Sequence, residues 1–476
     1  MSGNNPNTWI ASEIVEAAQG TLLSGNPAHA FAGISTDSRT IKKDDCFLAI
    51  EGDAYDGHTF VPQVLDKKVK GLIVNKTRKD GLQWDLIAAQ ETVSIGVADT
   101  LTALGALAAY HRRESTASVV AITGSNGKTS TRSMTTEILA KRFTILSPEK
   151  NFNNEVGLPL TLLRLTPSHE WAVLELGMNH PGEISRLGDI CRPDIGLITN
   201  IGPAHLEGLG SLEGVMHAKG ELLEKIKPNG NVILNADDPM TRHLAQKTSE
   251  KPILFGLSDT ADIRGVDIAA QSDGISFTLD IRGEKTRIKL CVPGRFMVTN
   301  ALAAASIGHI VGIPLPEIKA ALENFTPIQG RMNLHRMRDD ITLIDDTYNA
   351  NPGSMKAAIR TLQDLKKKNR GIAVLGDMLE LGESSWSLHR EIGLFAARAG
   401  MSRLYATGEY ADAIAKGARE GGMADKDIFR GTKDDIFSDM MKVLASDDWV
   451  LVKGSRGMRM ETLVKDLMNE LGKGQS

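Results

Sequence analysis

Lys128 and Thr129 follow directly on a glycine-bearing run, Thr123-Gly124-Ser125-Asn126-Gly127, and Ser130 continues it. That order of residue types suits phosphate. Backbone N–H groups of a glycine loop wrap phosphate oxygens, and the positive end of a helix dipole favours negative charge. Lys128 would reach the β- and γ-phosphates, and the Thr129 hydroxyl would hold Mg²⁺. The flanks agree: Val119 to Thr123 is a β-branched run that reads as a buried strand, and Met134, Ile138 and Leu139 recur at helical spacing. In the general pattern G-x-x-x-x-G-K-[ST] the first glycine would fall at Ile122, so the spacing is a shortened variant. The plain alternative is a glycine turn with a solvated lysine, which the strand–loop–helix context disfavours.

Ligands of open α/β sheets gather at the carboxyl ends of the strands, so residues there carry most weight. Glu175 closes the apolar run Trp171-Ala172-Val173-Leu174, with Gly177 shortly after. A carboxylate beside a phosphate loop is unfavourable unless it faces a cation, so Glu175 is expected at Mg²⁺, with a helix cap or surface pair as the alternative. His205, in Asn200-Ile201-Gly202-Pro203-Ala204-His205, lies in a loop at the same edge. It is a second metal ligand, a polariser of phosphate, or an ordinary core or surface histidine.

Lys219, where His217-Ala218-Lys219-Gly220-Glu221 is expected to open a helix, could bind phosphate, carry a modification or be solvated; spacing alone favours the last. Asn153 and Asn154 offer amide donors suited to oxyanions. Asn300, expected to open an Ala-rich helix, would read a base edge or cap that helix. Arg331, after Gly330, sits where an arginine can clamp phosphate or ribose from a neighbouring domain. Asp346, Tyr348, Asn349 and Asn351 fall between a strand and a helix, and Lys453 and Arg456 follow the final strand as two cations suited to a substrate carboxylate. Taken singly, each is equally well explained by turn chemistry.

The elements that must position these residues divide the chain in three, as its length of 476 residues also suggests. Residues 1–113 begin with a helix expected over Ala11–Gln19, continue with a strand over Cys46–Ile50, and end in a helix over Thr100–His111. Residues 114–330 alternate strands and helices, with strands over 171–176, 195–200 and 232–235. Alternation at Ile275, Phe277, Leu279 and Ile281, then Ile288, Leu290 and Val292, adds an antiparallel hairpin beside the parallel sheet. Residues 331–476 repeat the strand–helix rhythm as a small doubly wound α/β unit, without the G-x-G-x-x-G of a dinucleotide site.

Apolar content of 41% and charged content of 24% are those of an ordinary globular protein. A net charge of −4 gives no reason to expect nucleic acid. Cys46, Cys191 and Cys291 match no zinc or redox spacing and are expected as buried thiols. The polar N-terminus carries no signal-peptide pattern, and the apolar run Leu101 to Tyr110 is too short to span a bilayer. A cytoplasmic location without membrane insertion is expected.

The joint pattern says more. Thr123-Gly124-Ser125-Asn126-Gly127-Lys128-Thr129 resembles the nucleotide loop of the Mur ligase family, shortened spacing included. Glu175-Leu176-Gly177-Met178-Asn179-His180-Pro181-Gly182-Glu183-Ile184 and Asp345-Asp346-Thr347-Tyr348-Asn349-Ala350-Asn351-Pro352 resemble the branch that adds D-alanyl-D-alanine. Thr36-Asp37-Ser38-Arg39 and Asp56-Gly57-His58 are similar to the family's nucleotide-sugar domain. No Asp-Asn-Pro-Arg run, often carried by the diaminopimelate-adding relative, occurs.

The resemblance covers essentially the whole chain. It implies a small α/β nucleotide-sugar domain, a central P-loop parallel-sheet ATPase domain and a C-terminal Rossmann-like domain. It also implies ATP- and Mg²⁺-dependent ligation of D-Ala-D-Ala to UDP-MurNAc-tripeptide through an acyl phosphate; a monomer is expected. Thr129 and Glu175 would hold one Mg²⁺, with His205 and a carbamylated Lys219 at a second. The loop residues Gly124 to Ser130, with Asn300, Arg331 and Asn351, would contact ATP. Ser38 and Arg39 would lie nearest the pyrophosphate of the nucleotide sugar, and Lys453 and Arg456 near the dipeptide. Two other readings differ in their chemistry: a folylpolyglutamate-type ligase would release phosphate with glutamate, and a nucleotide-gated binding protein would do so without any amine acceptor.

Overall fold

The structure, a computed structural model, describes residues 8–52, 55–149, 151–248 and 251–472. Sheets of five, nine and six strands follow one another along the chain, beside a two-stranded ribbon of Trp9–Ile10 and Ala30–Phe31. In the first sheet Gly33–Ser35, Asp45–Leu48, Gly71–Asn75 and Val93–Val97 run parallel, and Thr21–Ser24 closes one edge antiparallel.

The central sheet is built around Ser118–Thr123. Trp171–Glu175 lies on one side of it and Ile195–Ile198 on the other, both parallel. The chain thus leaves this strand towards one edge and returns to build the other, which makes its carboxyl end a topological switch point. Side chains alternate between two cores. Val120, Ile122, Val173 and Leu197 join one, beneath Met134 and Ile138 of the helix Lys128–Leu139. Val119, Ala121, Leu174 and Ile198 join the other, with Leu187 and Val215. Burial on both faces is why these strands read as unbroken apolar runs.

The antiparallel hairpin Gly274–Ile281 with Glu284–Leu290 is part of this same sheet. It is joined through Ile263–Gln271, which pairs antiparallel with the hairpin and parallel with Ile253–Gly256. Those two linking strands have no clean alternation in sequence. The third sheet runs Asn333–Arg336, Thr342–Asp346, Trp449–Lys453, Gly371–Leu375, Arg403–Ala406 and Ile428–Arg430, parallel except for the first. The helices Ala411–Glu420 and Lys433–Val443, not read from the sequence, complete its layers.

Several expectations are corrected. The helix from Thr100 continues to Glu114, through residue 113. Its Arg112 is buried against the central unit, with Nε donating to the Cys191 carbonyl at 3.0 Å and a terminal nitrogen 3.4 Å from Asp194. Asn300 does not open its helix, which starts at Arg295, so the capping role falls away. Lys219 closes the helix Leu212–Gly220, whose N-cap is Ser211. Asp345 and Asp346 end a strand instead of following one. Cys46 and Cys191 are buried, but Cys291 is exposed. Among the described residues no helix is long and apolar enough to cross a membrane.

Candidate active site

At the switch point the chain turns through Gly124–Gly127 into the helix Lys128–Leu139. Only glycine fits the loop's ends. Gly124 (φ +147°) would place a Cβ 1.9 Å from Thr199 Oγ1, and Gly127 (φ +83°) one 2.2 Å from Asn300 Oδ1. A neighbouring loop holds the turn rigid: Asn200 Oδ1 accepts from the Asn126 N–H, Thr199 Oγ1 donates to the Asn126 carbonyl, and Ser125 Oγ donates to the Gly202 carbonyl. Asn235 donates in turn to the Thr199 carbonyl. Backbone donors at a helix start, fixed before any ligand arrives, form a preorganised anion site.

The loop opens on a cavity of about 530 Å³ lined by Ser125 to Ser130, Asn153, Asn154 and Glu175, and by His205 and Asn300. From the third unit come Arg331, Asp346, Tyr348, Asn349, Asn351 and Lys453. Lys128 Nζ donates to the Gly124 carbonyl at 2.7 Å. Its burial pulls the ammonium pKa below the ordinary lysine value, and Glu175 only partly opposes that. Uncompensated positive charge is what a polyphosphate would neutralise.

Glu175 is 3% exposed. Its Oε1 accepts from Asn153 Nδ2 at 2.8 Å, and its Oε2, 3.7 Å from Arg132 Nε, has no hydrogen-bond partner among the described residues. Gly177 makes this possible, since a Cβ there would meet the Asn153 amide at 2.9 Å. Arg132 also donates to Ser147 Oγ and the Pro148 carbonyl, so it ties the segment leading to Asn153 to the loop helix. Among the described residues no three His, Cys, Asp or Glu side chains converge as a ready metal cage. An orphaned carboxylate oxygen and the Thr129 hydroxyl in one cavity nevertheless fit Mg²⁺, which binds through one or two carboxylates plus substrate phosphates.

The third unit reaches into the loop itself. Arg331 donates to Thr129 Oγ1 at 3.0 Å and lies over the Tyr348 ring at 4.3 Å. Asn351 caps the helix Pro352–Lys366 through Oδ1 and donates from Nδ2 to Asn126 Oδ1 at 2.8 Å, so it both caps and contacts. Asp346 and Lys453 are register partners on adjacent strands, and Lys453 Nζ donates to Asp346 Oδ2 at 2.5 Å and to the Asn349 carbonyl at 2.8 Å.

His205, in a left-handed conformation (φ +56°), places Nδ1 2.6 Å from Glu380 Oε2 of the third unit. That contact holds the Glu380 carboxyl below its ordinary pKa. Lys219 does not line the cavity; it is 1% exposed, and no hydrogen-bond or ion-pair partner for its ammonium occurs among the described residues. Burial, reinforced by Lys128, drives its pKa well below the ordinary value.

Three other expected residues lie apart. Ser38 and Arg39 are in the first unit, where Lys67 Nζ donates to both their carbonyls and Arg39 bonds Asp37 from an exposed position. Arg456 is outside the cavity lining; it pairs with Glu461 at 3.2 Å and lies over Tyr348. Thr199, Asn200, Asn235, Arg132 and Glu380 were not singled out from the sequence. Thr199-Asn200 and Asn235 carry a signal, each ending a strand expected in the central unit.

Comparisons with known proteins place this geometry. Residues 30–112 match the Mur ligase catalytic-domain description, 122–308 the Mur ligase middle domain, and 330–456 the Mur ligase glutamate ligase domain. UDP-N-acetylmuramoyl-tripeptide–D-alanyl-D-alanine ligase of Escherichia coli (strain K12) is 37% identical over 440 residues, covering 91% of this chain and 93% of its own. A crystal structure of MurF from Acinetobacter baumannii superposes with a TM-score of 0.89 at 32% identity, over 97% of this chain and 99% of that one. MurF ligase from Thermotoga maritima, solved in complex with ADP, gives 0.82 at 26% identity, over 93% and 98%. With its three units matched in order and 91% of its length aligned with such a relative, the chain belongs to the Mur ligase family.

Proposed function

We propose that this chain is an ATP-dependent amide ligase that adds D-alanyl-D-alanine to UDP-N-acetylmuramoyl-tripeptide, releasing ADP and phosphate, in peptidoglycan precursor synthesis. The observation that carries this is the meeting of the phosphate loop with Asn351 and Arg331 of the third unit, in a chain similar along its length to ligases of that name. The tripeptide carboxylate attacks the γ-phosphorus of ATP and ADP leaves. The dipeptide amine then attacks the acyl phosphate, and phosphate leaves as the amide forms.

Two anions must meet in the first step. Lys128, the loop N–H groups and Arg331 would hold the nucleotide phosphates and screen that repulsion. Thr129 and Glu175 would hold Mg²⁺, with His205 and a carbamylated Lys219 at a second ion; bound there, the cation supplies electrostatic stabilisation of the transferring phosphoryl group. Asn300 and Asn351 would contact the nucleotide, and Asn153 and Asn154 the oxyanions of the acceptor substrate.

The assigned units are residues 1–113 for the UDP-sugar end, with Ser38 and Arg39 nearest the pyrophosphate, 114–330 for ATP, and 331–476 for completing the ATP site and delivering the dipeptide. Tyr348, Asn349, Lys453 and Arg456 would surround that dipeptide, and Asp346 offers an acceptor for its amino group. A monomer working in the cytoplasm fits this reading.

The test is ADP release with UDP-MurNAc-tripeptide, with and without D-Ala-D-Ala. Full turnover is expected only with both. ADP release indifferent to the dipeptide, or supported equally by glutamate, would overturn the assignment.

A further inference from the structure

Two non-glycine residues in left-handed backbone face each other across the boundary between the central and third units: His205 at φ +56° and Glu380 at φ +64°. Such conformations persist only where the surroundings over-determine them, and they cluster at functional sites. Here the surroundings are visible. The segment Asp377 to Gly382 is fastened at successive residues. Asp377 accepts from the N–H groups of Glu409 and Tyr410, the Met378 N–H donates to His389 Nε2 at 2.8 Å, and the Leu379 N–H donates to Ser455 Oγ at 2.9 Å. His389 is wholly buried, stacked on Tyr410 at 4.5 Å, and bound through Nδ1 to the Ser385 carbonyl. At the tip the Glu207 N–H donates to the Glu380 carbonyl at 3.3 Å, and Glu380 Oε2 meets His205 Nδ1 at 2.6 Å.

Asp377, Met378 and Leu381 are themselves buried, so the exposed tip is carried on a packed base. Its product is one carboxylate held against one imidazole of another unit. The His205 ring lines the cavity of the glycine loop, and no described residue hydrogen-bonds its Nε2. The Nδ1 contact is short but poorly aligned for a hydrogen bond, as is common at sites whose geometry tightens only with ligand.

We propose that Glu380 is a positioning residue: its carboxylate accepts a hydrogen bond from the Nδ1–H of His205, leaves the Nε2 lone pair facing the cavity, and so makes that imidazole competent only while the third unit is docked. A carboxylate behind a histidine fixes both ring orientation and tautomer. Here the carboxylate comes from a different unit, so the orientation becomes a readout of docking. The inference rests on the cavity being the nucleotide site.

The experiment uses the full chain labelled with ¹⁵N-histidine, with the His205 signals assigned by their loss in His205→Gln. At alkaline pH, with an ATP analogue and the nucleotide sugar at saturation and no divalent metal, His205 is expected to carry its proton on Nδ1. Glu380→Ala should return it to the Nε2–H form that free imidazole prefers, whereas Glu380→Gln, whose amide oxygen still accepts, should keep the parent pattern. With ADP present, Mn²⁺ binding by Glu380→Ala should weaken about 10–100-fold. A parent His205 protonated on Nε2, or a Glu380→Ala spectrum identical to the parent, overturns the proposal. So does full ligation by His205→Gln, because the ring would then have nothing to be positioned for. Failure of the nucleotide site itself shows separately, as retained turnover in Lys128→Ala.

Discussion

Asn351 Nδ2 donates to Asn126 Oδ1 at 2.8 Å, joining the N-cap of a helix in the third unit to the middle of the glycine loop, 225 residues earlier. The Oδ1 of that Asn351 amide caps the helix by accepting from the Ser354 N–H at 2.9 Å. One side chain therefore serves two purposes that substitution can separate. Asn351→Asp keeps the capping acceptor but turns a carboxylate towards the Asn126 oxygen and the phosphate site. It should melt near the parent temperature while ligating at least about tenfold more slowly, a barrier change of about 1.4 kcal/mol. Asn351→Ala should lose both functions, with about 1 kcal/mol of stability gone with the cap. Paired melting curves and ADP-release rates check this; an Asp variant with parental turnover would remove the contact from the mechanism.

Lys128→Ala should slow ligation roughly 10²–10³-fold, the usual cost of one preorganised electrostatic contact. The melting temperature should move little, since the ammonium's one described hydrogen bond is to the Gly124 carbonyl and burial already disfavours its charge. Near-native turnover would sink the phosphate-loop assignment.

Composition breaks near Arg113 and Gly330 suggest two hinges, but the structure treats them differently. The first junction is a continuous helix whose buried Arg112 bonds the central unit. The second is loop around Gly330, with the Tyr348 N–H donating to its carbonyl. Small-angle scattering should show compaction when an ATP analogue and the nucleotide sugar are both bound, arising at Gly330. An unchanged radius of gyration at saturation would count against docking as the assembly step. Arg112→Ala should instead destabilise the fold by about 1–3 kcal/mol through its unpaired acceptors, read by urea unfolding, without changing that compaction.

Local patterns made the loop legible, because strand, glycine turn and helix each leave a mark within a few residues. Glu175 was legible as a carboxylate at a strand end. Asn351's second role was not: its partner is fixed by how two sheets dock, and nothing near Asn351 in sequence encodes Asn126. Glu380 was missed for the same reason. Lys219 shows the converse, since a lysine at helical spacing reads as solvated, yet packing buries it.

That burial sets the last prediction. The folded-state pKa of Lys219 lies well below the ordinary value, with burial as the main cause and Lys128 adding to it. The native state then binds the Lys219 proton less tightly than the unfolded chain. Between the depressed value and the ordinary one the unfolded chain holds more protons, so stability rises with pH across that window. In CO₂-free buffer Lys219 should therefore add stability as pH rises from neutral, below the range where Cys46 and Cys191, whose pKa values burial raises, pull the other way; Lys219→Met should lose that part of the slope and keep the part from Lys128, which shifts as Lys219 does. A neutral buried amine is also the form that reacts with CO₂. The carbamate it would form replaces an ammonium that repels Mg²⁺ with two hard oxygens that suit it. Lys219→Ala should accordingly be nearly inactive and partly rescued by a small carboxylic acid, and degassed parent enzyme should regain rate when bicarbonate is added. Full activity in Lys219→Ala would reduce the residue to a packed helix lysine. A real loss that neither acid nor bicarbonate relieves would make it an ordinary cation and remove the carbamate from the site.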